Sequence, residues 1–249
     1  MSRFRDHFAF ASESYASFRP DYPASLFDWL DRLTPRHERA WDCGTGTGQA
    51  AVALARHYGE VIATDPSLRQ LANAARADGV HYAAMSAHPA ALASHSVDLV
   101  TVAQALHWFD LPRFFGEVDR VLRPGGILAV WSYGLLTIDP ATDAELRHLY
   151  RDILGSYWPT ERVLVDSGYV GIVLPYPELS GPDVSMEATW SLRQVAGYLS
   201  TWSAVGRYRQ ALARDPLPEV MRRIELAWPA GETRQVRWPL VARAARKSL

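Results

Sequence analysis

The chain has 249 residues, of which 48% are hydrophobic and 21% charged, with a formal net charge of −1. This suits a soluble globular protein that buries a full core, and the near-zero charge gives no field that would gather nucleic acid or an anionic membrane. A single cysteine, Cys43, excludes an intramolecular disulfide. Residues Met1 to His7 lack the apolar run of a secretory signal, and no stretch approaches the roughly 20 apolar residues of a membrane span. The expectation is a cytoplasmic protein.

In chain order, Arg39 to Asp42 predicts a short strand that ends in a glycine-rich turn. The Ala-rich run Gln49 to Tyr58 predicts a helix stopped by Gly59. Glu60 to Asp65 predicts the next strand, and Pro66-Ser67 opens a helix through Ala77 that Gly79 closes. Val80 to Ala83 and Ser96 to Val102 predict strands three and four. Phe114, Phe115, Val118, Val121 and Leu122 fall on one face of a helix over 111–122. Pro124-Gly125-Gly126 breaks it before a fifth strand, Ile127 to Trp131. This alternation predicts a parallel sheet covered by helices on both faces. Beyond it the pattern is irregular, with a helix over 140–154, a strand over 184–190 and a helix over 191–203 with Ser191 as its N-cap. A helical stretch follows over 206–228, broken at Pro216-Leu217-Pro218. The last strand covers 235–245, with Pro239 at an edge or bulge.

The chemistry concentrates where the first strand ends. Asp42-Cys43-Gly44-Thr45-Gly46-Thr47-Gly48 has the G-x-G-x-G spacing of a nucleotide-type cofactor loop, in which glycine permits positive φ and close approach of a ligand to the backbone. Asp65 ends the second strand 21 residues beyond Gly44, where a carboxylate can accept both hydroxyls of a ribose. A dinucleotide loop places its third glycine one position later, where this chain has Gln49. Asp42 suits the ammonium of an amino-acid moiety, and loop amides could face its carboxylate.

With these residues the chain resembles the class I S-adenosylmethionine-dependent methyltransferases. The resemblance is carried by Trp41 to Gly48, Thr64-Asp65-Pro66-Ser67, Ser96 to Val100 with Ala103 to Phe109, and Arg120 to Gly126. More narrowly, Tyr15 to Pro23, Gln104 to Phe109 and Leu199 to Ser203 are similar to the trans-aconitate methyltransferase-like branch, whose members act on small carboxylates among other acceptors. The fold implied is a Rossmann-like α/β sheet, mostly parallel with a C-terminal antiparallel strand pair. It would form one domain: an N-terminal strap and helix (1–35), a cofactor-binding core (36–133), a substrate-pocket insertion (134–230) and a final strand (231–249).

The resemblance implies S-adenosyl-L-methionine as cofactor and a small-molecule acceptor, with neither nucleic acid nor membrane as partner. Cofactor contacts are expected from Asp42, Gly44, Thr45, Gly46, Asp65, Pro66, Ala87, Gln104, Tyr15 and Arg19. Many relatives have Ala-Glu where this chain has Ala87-His88, so only the backbone contact carries over there. Tyr22, Trp108 and Trp202 are expected to wall the acceptor, and the strap to close over the cofactor.

Methyl transfer from a sulfonium asks chiefly for alignment and exclusion of water. A carboxylate acceptor is already ionised and needs a clamp, for which Arg19 is a candidate. An alcohol, phenol or amine would call for a base, and His107, just after the fourth strand, is the candidate histidine. No metal-ligand spacing and no G-x-S-x-G occur in the sequence. An NAD(P)-dependent oxidoreductase, or a binding module without turnover, remains as an alternative at this stage.

Overall fold

The computed structural model describes residues 20–249. It divides into two compact units. The core unit comprises Tyr22–Gly134, Val163–Val184 and Leu240–Leu249; the second comprises Leu135–Arg162 and Ser185–Pro239, with Pro20 and Asp21.

The core unit opens with α1 (Ala24–Leu33), which buries Leu26, Phe27, Trp29 and Leu30. Then follow β1 (Arg39–Cys43), α2 (Gln49–Leu54), β2 (Glu60–Asp65), α3 (Leu68–Ala72), β3 (Val80–Ala84), β4 (Val97–Ala103), α4 (Leu111–Val121) and β5 (Leu122–Tyr133). The strands run in the order β3-β2-β1-β4-β5 and all are parallel. The segment α5 (Pro140–Arg147) lies in the second unit, and α6 (Arg162–Asp166) leads back to the core unit. There β6 (Glu178–Leu179) pairs antiparallel with the C-terminal part of the last strand, β8 (Thr233–Arg246), which itself runs antiparallel to β5. The sheet is thus mostly parallel with an antiparallel pair at one side, as the resemblance implies. The chain moves outward from β1 to β3 and then returns to β4, so the strand order reverses between β1 and β4. In open α/β sheets the crevice at the carboxyl ends of such strands is where ligands bind.

β4 is buried along nearly its whole length, the signature of a strand covered on both faces. Trp41, Phe114, Val118, Val121, Leu122, Leu128 and Val130 belong to one buried apolar cluster.

The second unit holds α5, a π-helical segment (His148–Ile153), β7 (Val184–Ser191), α7 (Leu192–Ser200), α8 (Ser203–Leu212), α9 (Leu217–Glu225) and the first half of β8. Asp139 caps α5 through the Ala141 and Thr142 amides, and Ser191 and Gln194 form a capping box on α7. Trp238 is fully buried between Trp190 and Tyr198, with ring centroids 4.8 and 5.5 Å away, both edge-on.

Several boundaries depart from the sequence reading. α2 ends at Leu54 because the next turn tightens: the His57 and Tyr58 amides both donate to Leu54 O, and the buried Tyr58 hydroxyl donates to Thr34 Oγ1 at 2.8 Å. α3 stops at Ala72, well short of Ala77. The Ala75 amide donates to Thr47 O at 3.1 Å and the Tyr82 hydroxyl to Ala75 O at 2.5 Å, so this segment is tied to the glycine loop rather than to a helix. Pro124-Gly125-Gly126 does not end an element before β5 but lies within it. The β4 register shifts between Val97 and Leu99, whose partners are Leu122 and Ile127, so the extra residues form an irregularity in the ladder. The helix expected over 140–154 turns π-helical after Arg147. Pro239 falls between the Arg237 bridge to Thr137 and the Leu240 pairing with Tyr133. A residue without an N–H suits that gap.

Among the described residues no helix is long and apolar enough to cross a membrane.

Candidate functional site

The turn after β1 is stitched to β2. The Gly44 and Thr45 amides both donate to Thr64 O, at 2.8 and 2.9 Å, and the Gly48 amide to Thr45 O at 2.9 Å. The Gly46 amide donates to Asp65 Oδ2 at 3.0 Å. These bonds correct the expectation that the loop amides point at a ligand carboxylate, since most are spent holding the turn. What the turn offers instead is space. Gly46 has φ +57° and, among the described residues, a Cβ added there would meet nothing within 4 Å. Gly48, at φ +84°, is closed: a Cβ would stand 2.1 Å from the Tyr82 hydroxyl.

Asp42 is fully buried at the end of β1. Its Oδ2 accepts from Thr45 Oγ1 at 2.5 Å and its Oδ1 from Thr101 Oγ1 at 2.7 Å. Thr101 is its register partner on β4, so the carboxylate sits at the reversal of strand order. Burial pushes its pKa up to about 6, and the two threonine hydroxyls only partly offset this. Among the described residues no cationic side chain pairs with it. A carboxylate left there without a positive partner is suited to receive one.

Asp65, nearly buried at the end of β2, is positioned by its neighbours. Its Oδ1 accepts from the Ser67 amide at 2.8 Å, and Ser67 caps α3 through the Gln70 amide. Pro66, between them, is exposed.

Gln104 follows β4 with φ +55°, a backbone that non-glycine residues seldom adopt. Its amide donates to Trp131 O at 2.9 Å and its Nε2 to Tyr133 O at 3.2 Å. Its Oε1 is buried with no hydrogen-bond partner among the described residues, an acceptor that a ligand donor would satisfy. Tyr22 stands edge-on to Trp131 at 5.6 Å and to Tyr133 at 6.4 Å, so it lies by the same end of β5. The turn Leu106–Trp108 then brings His107 and Trp108 together, with ring centroids 4.5 Å apart. Ala87 is half-buried against the core cluster.

The core unit thus gathers Asp42, Gly44, Thr45, Gly46, Asp65, Pro66, Gln104, His107 and Trp108 on the turns that follow β1, β2 and β4. Trp202 lies in the second unit, where its ring meets Tyr150, Trp158 and Tyr198. Tyr15 and Arg19, and with them the strap's first part, lie outside the described residues.

Sequence reasoning missed two participants. Thr101 left a signal, a polar residue inside the otherwise apolar run Leu99 to Val102. Tyr169 left none: it is fully buried, and its hydroxyl lies 2.9 Å from His107 Nδ1.

Comparison with known proteins follows the same lines. The family model described as a methyltransferase domain matches residues 41–130. A protein of Dictyostelium discoideum that carries the name of a methyltransferase is 39% identical over 223 residues, covering 88% of this chain and 85% of that protein. A solved structure from Anaeromyxobacter dehalogenans, described as a type II methyltransferase, has a TM-score of 0.87 at 42% identity and covers 93% of this chain and 100% of that one. A Saccharomyces cerevisiae protein named as an S-adenosylmethionine-dependent methyltransferase is 33% identical over 133 residues, half of this chain and 46% of that protein.

Proposed function

This chain belongs to the class I S-adenosylmethionine-dependent methyltransferases, and from that premise we propose that it methylates a small carboxylate and holds its cofactor on the turns after β1, β2 and β4. The family membership sets aside the oxidoreductase alternative. One observation carries the reading of the site: among the described residues the buried Asp42 meets no cation, Gly46 in the same turn is open, and Gln104 Oε1, just after β4, has no hydrogen-bond partner.

Those residues fit the cofactor's parts. Asp42 and Gln104 Oε1 would receive the ammonium of the methionine moiety, whose positive charge would hold Asp42 ionised. Asp65, already aimed by Ser67 and Gly46, would accept the two ribose hydroxyls. The Ala87 backbone would border the adenine, and Thr45 and Pro66 would line the approach. S-adenosylmethionine supplies a methyl group already activated by the positive sulfur. The protein's own work is therefore alignment and exclusion of water. Tyr22 and Trp108 would wall the acceptor, and His107 would contact it. Support for the carboxylate is the resemblance of Tyr15 to Pro23 and of Gln104 to Phe109 to a branch acting on such acceptors, with Arg19 as the proposed clamp and strap residue Tyr15 closing over the cofactor.

Calorimetric titration with S-adenosylmethionine tests the site. Asp65→Ala removes two charge-assisted hydrogen bonds, so affinity should fall about a hundredfold; unchanged affinity would remove Asp65 from the site. A labelled-methyl screen over carboxylates, phenols and amines tests the acceptor, and label found only on phenols or amines would overturn the carboxylate reading.

A further inference from the structure

The His107–Tyr169 pair is not used by the reading above, yet the fold invests in it. Tyr169 has φ +61°, directly after Gly168 at +64°. A bulky side chain in the left-handed region is strained and persists only where its surroundings over-determine it. Those surroundings come from β6 and β8. Gly168 lies so close to Val241 that a Cβ would stand 2.9 Å from it. Arg243 Nη1 donates to the Tyr169 carbonyl. Arg243 is itself clamped by Glu178, with Nε to Oε2 at 2.9 Å and Nη2 to Oε1, which also neutralises its charge. The result is a fully buried phenol whose oxygen lies 2.9 Å from His107 Nδ1, the two rings stacked at 28°.

The direction of that hydrogen bond decides what His107 can do. An imidazole nitrogen lone pair is far more basic than a phenol oxygen, and a phenol O–H is far more acidic than a neutral imidazole N–H. The pair is therefore most stable with Tyr169 donating to Nδ1. The bond made by one ring nitrogen fixes the state of the other, so the proton of neutral His107 sits on Nε2.

We propose that Tyr169 is a positioning residue that holds His107 as the Nε2–H tautomer, so that His107 serves the methyl acceptor as a hydrogen-bond donor and not as a base. The functional half of this rests on the carboxylate reading, because an acceptor that arrives ionised needs a donor and has no proton to lose. The tautomer itself does not depend on it.

The test separates the two. The full chain is labelled with 15N-histidine and observed free of ligand near neutral pH, with the His107 signals identified by their loss in His107→Gln. The proton should reside on Nε2, and Tyr169→Phe should shift His107 toward a mixture of tautomers while the other histidines stay unchanged. A proton on Nδ1, or no shift in Tyr169→Phe, overturns the proposal. Methyl-transfer kinetics give an independent readout. The Gln amide can donate where Nε2–H does but cannot act as a base, so His107→Gln should recover at least about tenfold of the kcat/KM lost in His107→Ala. Gln as inactive as Ala would also overturn the donor role. An acceptor that proves to be a phenol or amine sinks the carboxylate reading and leaves the tautomer result standing.

Discussion

The two ends of the core sheet each bury an aspartate, and they treat it in opposite ways. At the amino end of β4, Asp98 is 2% exposed and accepts from the Glu38 and Arg39 amides, both at 3.0 Å, and from Arg123 Nη1 at 2.9 Å. At the carboxyl end, Asp42 is fully buried and, among the described residues, has two threonine hydroxyls in place of a cation. The described residues supply the positive partner at one end and none at the other. A carboxylate that the fold completes by itself reads as structure, and one that the fold leaves incomplete reads as a binding site.

Removing each aspartate should therefore have effects of opposite sign on stability. Asp98→Ala leaves the Glu38 and Arg39 amides without their acceptor and takes from Arg123 its buried partner, and each group so left unsatisfied costs about 1–3 kcal/mol. Chemical denaturation should show that loss. A cost under about 1 kcal/mol would mean that Asp98 is no more structural than Asp42.

Asp42→Asn should instead stabilise the fold. The folded pKa of about 6 lies above the ordinary 3.8, so the folded state binds a proton more tightly than the unfolded one. Above pH 6 the ionised form costs about 3 kcal/mol, and the cost fades as pH falls from about 6 toward 4. The Asn variant should gain up to that much at pH 8, gain nothing near pH 4, and bind S-adenosylmethionine poorly at both. An Asp42→Asn protein less stable than the parent at pH 8 would show that the carboxylate is satisfied without a ligand.

The same titration sets a pH dependence on binding. A cationic ligand group beside Asp42 requires the ionised form, so below pH about 6 the proton competes with it. Affinity for S-adenosylmethionine should fall about tenfold per pH unit in that range and level off above it. In Asp42→Asn the profile should be flat. A flat profile in the parent chain would separate Asp42 from the ligand's charge.

How much of this the sequence revealed depends on the range over which each feature is encoded. The glycine turn and Asp65 were legible because their partners are neighbours: Asp42 bonds Thr45, Asp65 bonds Ser67, and β2 follows β1 through one short helix. That β1 to β5 run parallel followed from the alternation of strands and helices. The early end of α3 was not legible, because it is set by Ala75 bonding Thr47 and Tyr82 across the turn. Tyr169 was hidden for the same reason, reaching His107 across 62 residues from a turn marked only by Gly168. The long-range ion pairs at the amino end of the sheet gave no sequence signal either.

Within that amino end, Arg123 separates distance from worth. Its Nη1 donates to Glu38 Oε2 at 2.6 Å and to Asp98 Oδ1 at 2.9 Å. The shorter contact is the weaker one in energy. The Glu38 side chain is 67% exposed, so water and salt screen its charge and its ordering costs entropy. Asp98 has no water to fall back on. Glu38→Gln should therefore change stability by less than about 1 kcal/mol, and by less still in high salt. Because the Arg123 guanidinium stays paired with Asp98 in that variant, no buried charge is stranded. A loss equal to that of Asp98→Ala would mean that contact distance rather than burial sets the strength of this network, and the contrast between the two ends of the sheet would lose its physical basis.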